Sequence, residues 1–118
     1  MAQRENAKIV LVTCRSLAEA RKIARSVVRS RLAACVNVIS APVESVYRWK
    51  GNLESAGEFL LVIKTTSRRL KALEAEVSRI HSYEVPEFLV LRVDSGSKKY
   101  LAWLLSSLEA ERGAIRLR

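Results

Sequence analysis

Two β-rich runs meeting at Gly51-Asn52 constrain this chain more than anything else in it. The first, Leu32 to Lys50, is rich in Val, Ile, Ser and Tyr and carries one proline, Pro42. It reads as one long strand, bent or bulged near Ala41 and Pro42, because proline donates no ladder hydrogen bond. Gly51-Asn52 supplies turn chemistry. Glu58 to Thr66 returns as the partner strand, so the two form a hairpin. The hairpin is long for a chain of 118 residues, a length that suits one domain. It is expected to extend past the core, where its edges need a further partner.

The flanking segments supply that core. Lys8 to Cys14 is a short β-branched run and reads as a buried strand. Ser16 opens S-L-A-E, a capping box with Glu19 three residues on, predicting a helix from Leu17 to Arg31. Ser67 is placed to cap a second helix, in which Leu70, Leu73, Val77 and Ile80 recur at spacings that make one apolar stripe. Pro86 ends anything helical before it, and Phe88 to Val93 reads as a fourth strand. Gly96-Ser97 leads into a third helix that should bury Leu101, Leu104, Leu105 and Leu108. The order is β-α-β-β-α-β-α. Its first six elements match the split β-α-β pattern of a ferredoxin-like sandwich, an α+β fold with both main helices on one face of a four-stranded antiparallel sheet. The reading is one domain over residues 1–118, with an additional C-terminal helix and flexible ends at 1–7 and 109–118.

Hydrophobic residues at 49% and charged residues at 28% exclude a disordered chain. Two cysteines, Cys14 and Cys35, are too few for a disulfide framework and lack C-x-x-C spacing. The polar N-terminus does not resemble a signal peptide. No uninterrupted apolar run approaches the roughly 20 residues of a membrane-spanning helix. A cytoplasmic location with reduced thiols is expected.

The net charge of +9 is uneven, with eight basic and two acidic residues in the first 35. A nucleic-acid or anionic-ligand surface is one reading. Against it, Arg21, Arg25 and Arg29 recur at i, i+4 and i+8 opposite Ala20, Ile23, Ala24, Val27 and Val28, the pattern of an ordinary amphipathic helix. No aromatic residues interleave with them to stack on bases, so nucleic acid is not the expected partner.

P-loop, G-x-G-x-x-G, H-E-x-x-H and G-x-S-x-G motifs are absent, and no nucleophile has an evident base beside it, so no enzyme is expected. The single histidine, His81, reads as a metal ligand or proton carrier, or as a helix end bonded to backbone. Cys35 reads as a small buried hydrophobe, or as a thiolate ligand for soft copper or zinc. Tyr47 and Trp49 share one strand face near the hairpin tip, as interface anchors or cross-strand packing. Lys64 ends an apolar strand and needs a partner, for which Glu84 and Glu87 are candidates. A Lys, a Glu, a Tyr and a Trp converging at strand ends would make a polar pocket.

Taken together, six strings resemble the CutA divalent-cation-tolerance family: VTC at 12–14, LAACVNV at 32–38, SVYRWKG at 45–51, VIKT at 62–65, HSYEVPE at 81–87 and YLAWL at 100–104. The resemblance covers about residues 8–108. It implies a ferredoxin-like protomer in a homotrimer, with the long hairpins joining sheets between neighbours, and an architecture similar to the trimeric PII signalling proteins. It also implies a binding or regulatory role at an inter-subunit cleft lined by Cys35, Tyr47, Trp49, Lys64, Tyr83, Glu87 and Trp103. The ligand it implies is copper, another divalent metal or a small molecule, with His81, Glu84 and Cys14 as metal candidates. The chain departs from the family pattern at the metal site. Val12 aligns with the family's first-strand cysteine, Arg15 follows Cys14 where a proline is common, and Ser82 replaces the usual proline after the histidine.

Overall fold

In the computed structural model, which describes residues 6–109, the first apolar run forms strand β1 (Ala7–Cys14) and is followed by helix α1 (Leu17–Arg29). Strands β2 (Cys35–Val38), β3 (Val43–Trp49) and β4 (Asn52–Thr66) come next. A 3-10 turn at Ser67–Arg69 leads into helix α2 (Leu70–Ile80), strand β5 (Leu89–Arg92) and helix α3 (Lys98–Ser107). Every strand pairing is antiparallel. The strand order is β2-β4-β1-β5, with β3 also paired to β4. The architecture among the described residues is thus mixed α+β, an antiparallel sheet with three α-helices. Ala7 lies in β1 opposite Thr66, and Asn6 exchanges hydrogen bonds with Ser67. The remainder of the ends expected to be flexible lies outside the described residues, apart from Glu109, whose N–H donates to Ser106 O.

Strand β4 has 15 residues and is about 50 Å long at the usual rise. Residues 59–66 pair with β1, and 61–64 also pair with β2 on the other side. Among the described residues, 52–58 pair with β3 alone. The single bent strand expected before the turn is divided into β2 and β3. Val38 pairs with Leu61 and Val43 with Glu58, so residues 39–42 stand opposite only Phe59 and Leu60. Pro42 sits in this insert, where no ladder donor is required, while Ile39 N–H still donates to Leu60 O at 3.0 Å. The insert has an even number of extra residues. Odd positions of β2 and β3 therefore share one sheet face despite the break.

The hairpin turn is centred on Lys50 and Gly51, with φ of 50° and 84°, and closes at the Trp49–Asn52 pair. It lies one residue earlier than the Gly51-Asn52 turn read from sequence. Two positive φ values suit the right-handed twist of the strands, and glycine takes the larger one.

Val10, Val12 and Cys14 of β1 and Leu61 and Ile63 of β4 form the sheet side of the core. Ala20, Ile23 and Val27 of α1 and Leu73 and Val77 of α2 cover them. Ser16 caps α1, its hydroxyl accepting Glu19 N–H at 3.1 Å, but the capping box is only half formed, because the Glu19 carboxylate accepts Ser82 N–H instead of returning to Ser16. The helix stops two residues short of the expected end, because Arg31 turns left-handed at φ 60° and Leu32 N–H folds back to Val27 O at 2.9 Å. Ser67 caps no helix. Its hydroxyl accepts Asn6 N–H instead, and the 3-10 turn starts α2.

Ser97 caps α3 by accepting Tyr100 N–H at 3.2 Å. The buried stripe of α3 is narrower than expected: Leu104 and Leu108 are buried, while Leu105 is 37% exposed. The carbonyls at its C-terminus, which have no intrahelical donors, receive guanidinium groups. Arg31 donates to Ser107 O at 3.1 Å and Arg69 to Leu108 O. The other sheet face carries Ile9, Leu11 and Thr13 with Leu60, Val62 and Lys64, and with Leu89 and Leu91 of β5. Leu61 is fully buried between this sheet and the helices. Leu61→Ala is expected to lower stability by about 3 kcal/mol, measured by urea unfolding.

Candidate functional site

Helix α2 ends where His81 turns extended (φ −65°, ψ 140°), its N–H still donating to Val77 O. The imidazole is buried against the end of β1. Its Nε2 lies 2.7 Å from the Thr13 carbonyl oxygen. A carbonyl only accepts, so Nε2 carries the proton and Nδ1 presents a lone pair. Nδ1 accepts Tyr83 N–H at 3.1 Å and lies 3.2 Å from Glu19 Oε2. The Glu19 carboxylate also accepts Ser82 N–H at 3.0 Å. Two electron-rich atoms this close are stabilised by positive charge beside them.

Cys14 completes the cluster. One donor atom from each of Cys14, Glu19 and His81 lies within 4.8 Å of the others. Burial, reinforced by the charges of Glu19 and Glu58, pushes the Cys14 thiol up to about 12, so it is protonated at neutral pH. A tetrahedral ion with bonds near 2.0–2.3 Å needs its donors about 3.5 Å apart, so the widest pair here would close by about 1 Å. Thiolate, imidazole and carboxylate together suit Zn²⁺ or Cu²⁺. A ligand histidine commonly donates its other N–H to a carbonyl, as Nε2 does here. The donor set fits such an ion.

Thr13 points to the opposite sheet face from Cys14 and lines a cleft of about 670 Å³. Ser45, Val46, Tyr47 and Trp49 of β3, Glu58 of β4, and Ser82, Tyr83, Glu84, Val85 and Glu87 complete its wall. Three carboxylates and three aromatic rings thus face one space with no Lys or Arg among the lining residues, on a chain of net charge +9. Tyr83 O–H donates to the buried Glu58 Oε2 at 2.6 Å. Burial, then that bond, raises the Tyr83 phenol above its usual range. Burial, then the Glu58 charge, raises Glu87. Carboxylates and aromatic faces attract cations. The segment 81–87 rounds the end of the sheet and connects this cleft to the Cys14 cluster, with the His81 and Tyr83 ring centroids 4.8 Å apart.

Four of the residues assigned by family resemblance, Tyr47, Trp49, Tyr83 and Glu87, line the cleft. Cys35 and Lys64 are register partners across β2 and β4. They stand six positions along β4 from Glu58, or about 20 Å. The Lys64 ammonium donates to Asn37 Oδ1, where Glu84 or Glu87 was expected. Trp103 sits on α3 against Tyr100, ring centroids 5.4 Å apart. Glu84 lines the cleft, while Glu19 supplies the carboxylate beside Cys14 and His81. From sequence Glu19 reads only as half of a capping box. Its place in the first helical turn after the strand bearing Cys14 was the available signal. Glu58 was also missed. In register it shares a face with Tyr47 and Trp49.

Because the folded-state pKa of Glu87 is raised, its ionised form opposes folding above that pKa, and the opposition fades as pH falls through the carboxylate range. Glu87→Gln is expected to raise Tm at pH 7.5, with the gain gone near pH ~3.5, by scanning calorimetry. Cys14, buried with a raised pKa, is expected to resist a thiol reagent at pH 8 until denaturant opens the chain, as mapped by mass spectrometry.

The sequence matches the family model described as CutA1 divalent ion tolerance protein over residues 8–107. It is 41% identical over 97 residues to the divalent-cation tolerance protein CutA of Thermus thermophilus, covering 82% of this chain and 93% of that one. It is 43% identical over 104 residues to human protein CutA, covering 88% of this chain and 58% of that one. The chain therefore spans little more than half the length of the human relative. The solved CutA of Xylella fastidiosa superposes with a TM-score of 0.85 at 33% identity, over 88% of this chain and 99% of that one. The structure titled periplasmic divalent cation tolerance protein CutA, from Archaeoglobus fulgidus, superposes with a TM-score of 0.84 at 34% identity, over 87% and 99%. Among the described residues no helix is long and apolar enough to cross a membrane. With nearly all of its described length matched in both sequence and architecture, the chain belongs to the CutA1 divalent ion tolerance protein family.

Proposed function

We propose that this chain is a non-enzymatic binding protein, a homotrimer of ferredoxin-like protomers, that takes a divalent ion of the copper or zinc kind beside its acidic, aromatic cleft. The observation that carries the reading is the convergence of Cys14, Glu19 and His81 donors within 4.8 Å. Thr13 O holds Nε2, so Nδ1, which accepts the Tyr83 N–H and faces Glu19, is the nitrogen an ion would take in place of that bond. A bound ion would supply positive charge to the gap between Nδ1 and Glu19 and a Lewis-acid centre at the edge of the cleft. Binding must displace the Cys14 proton, so uptake is coupled to proton release. The naming of relatives for divalent-cation tolerance supports the same reading.

Strand order β2-β4-β1-β5 supports the ferredoxin-like assignment. The trimer is supported by what one chain leaves unpaired. Residues 52–58 of β4 have only β3 beside them among the described residues. Large apolar side chains on the hairpin and β5 are open, with Leu53 74%, Val46 63% and Leu89 55% exposed. Such edges and patches mark association surfaces. A neighbour would also bring Cys35, Lys64 and Trp103 toward a cleft that they do not reach within one chain. The free cysteines fit a reducing compartment such as the cytoplasm.

A second reading has its own support. Both ring nitrogens of His81 already have protein partners, as in a purely structural hub that fastens the 81–87 segment for trimer assembly. Calorimetric titration with Cu²⁺ and Zn²⁺ separates the two. Metal binding predicts proton release at pH 7 and a loss of about tenfold or more in affinity for His81→Ala and Cys14→Ser. Identical isotherms for parent and variants would leave the structural reading. Light scattering checks the assembly: three 13.3 kDa chains give about 40 kDa, and a lone chain at micromolar concentration would end the trimeric reading.

A further inference from the structure

We infer that the helical face carries a second site, a groove between α1 and α2 that binds compact polyphosphate anions through their phosphates. The groove has a volume of about 590 Å³, within the range of small-ligand sites. Arg21, Lys22, Arg25 and Arg29 of α1 line one side and Arg79 of α2 the other. Its remaining lining, Ala18, Ser26 and Ile80, is uncharged. From sequence the α1 arginines read as the solvated face of an amphipathic helix. The fold adds a concave surface and, across it, the Arg79 guanidinium, which the Glu76 carboxylate pairs and holds in place.

Among the described residues, the carboxylate bonded to the lining side chains is Glu76, and it is already engaged. Glu76 accepts Ser26 O–H at 2.6 Å and Arg79 at 2.9 and 2.6 Å. Those bonds hold Glu76 down at about 2, the Arg79 contact contributing most. They also fix the Arg79 guanidinium beside the groove. Among the described residues, Arg21, Lys22, Arg25 and Arg29 form no ion pair. Arg21, Arg25 and Arg29 make a row about 12 Å long on the helix. Like charges four residues apart destabilise a helix, and a multivalent anion laid along the row relieves that repulsion.

A single phosphate reaches only part of the row, so affinity should grow with the number of linked phosphates. No aromatic residue lines the groove, leaving nothing to stack a nucleobase. Recognition is then of phosphates without regard to what they are attached to. The site lies on the helix side of the sheet, apart from the acidic cleft, and does not depend on metal binding there.

The test uses the full chain with inorganic tripolyphosphate and orthophosphate, titrated by calorimetry at low and physiological salt. Tripolyphosphate is expected to bind at least about tenfold more tightly than orthophosphate and to weaken as salt rises. R25A/R29A is expected to lose about tenfold or more of that affinity, with Tm not lowered and the Cu²⁺ isotherm unchanged. K98A/K99A removes the same net charge from the start of α3 and should leave affinity unchanged. If R25A/R29A does not fold, Arg29→Gln alone serves, with a smaller loss expected. Equal affinity for the two phosphates, no loss in the groove variants, or an equal loss in K98A/K99A would overturn the proposal. Preference for a single-stranded oligonucleotide over tripolyphosphate would overturn it in favour of a nucleic-acid surface.

Discussion

The backbone of β4 carries the rest of the structure. Between residues 61 and 64 its hydrogen-bonding groups are used on both sides, by β1 and by β2, and its core-facing side chains, Leu61 and Ile63, are fully buried. Between residues 52 and 58 the same strand has, among the described residues, only β3. One continuous element is therefore both the centre of a packed sheet and the stem of an exposed hairpin. A strand rises about 3.3 Å per residue whether or not a core lies under it. Fifteen residues in unbroken extension must run past a domain of this size.

The chemistry gathers where that strand leaves the core. Glu58 is the last buried position before the hairpin opens, and its carboxylate takes the Tyr83 hydroxyl. The 81–87 segment is held there by short bonds to each face: His81 to the Thr13 carbonyl, Ser82 to Glu19, and Tyr83 to Glu58. Adjacent residues of one strand point to opposite faces. Cys14 and Thr13 thus serve different sides, one a buried cluster of donors, the other an open cleft. Charge is divided in a similar way. The carboxylates collect at the hairpin end of the sheet and the cations line the helices, so the two cavities favour ligands of opposite sign.

Much of the element order was legible because it is written in local periodicity. The β-branched run of β1, the Ser16 cap and the 70-73-77-80 stripe each specify an element from neighbouring residues alone. The errors came where local signals compete. Ser67 has the chemistry of a helix cap, yet the nearby N-terminal strand supplies Asn6 as its partner. Leu105 continues an apolar pattern, but α3 meets the rest of the chain over a narrow contact and leaves it exposed. At Pro42 a bend was foreseen, while its size, four residues against two, is a property of the register with β4.

By itself the sequence determined the elements, the long hairpin and the family, since periodicity, capping and ordered motif strings are all properties of the chain read along its length. Motif strings already grouped Tyr47, Trp49, Tyr83 and Glu87, and tertiary structure decided which further side chains join the sites and which stay away. Glu19 and Glu58 joined Cys14, His81 and Tyr83 because strand register and the path of 81–87 brought them together from distant positions. Lys64 took Asn37, which lies two positions along β2 from its register partner Cys35 and on the same face, while the cleft lined by Glu84 and Glu87 starts six positions away along β4 at Glu58. Proximity in space depends on register, twist and packing, and none of these is encoded at any one position of the sequence.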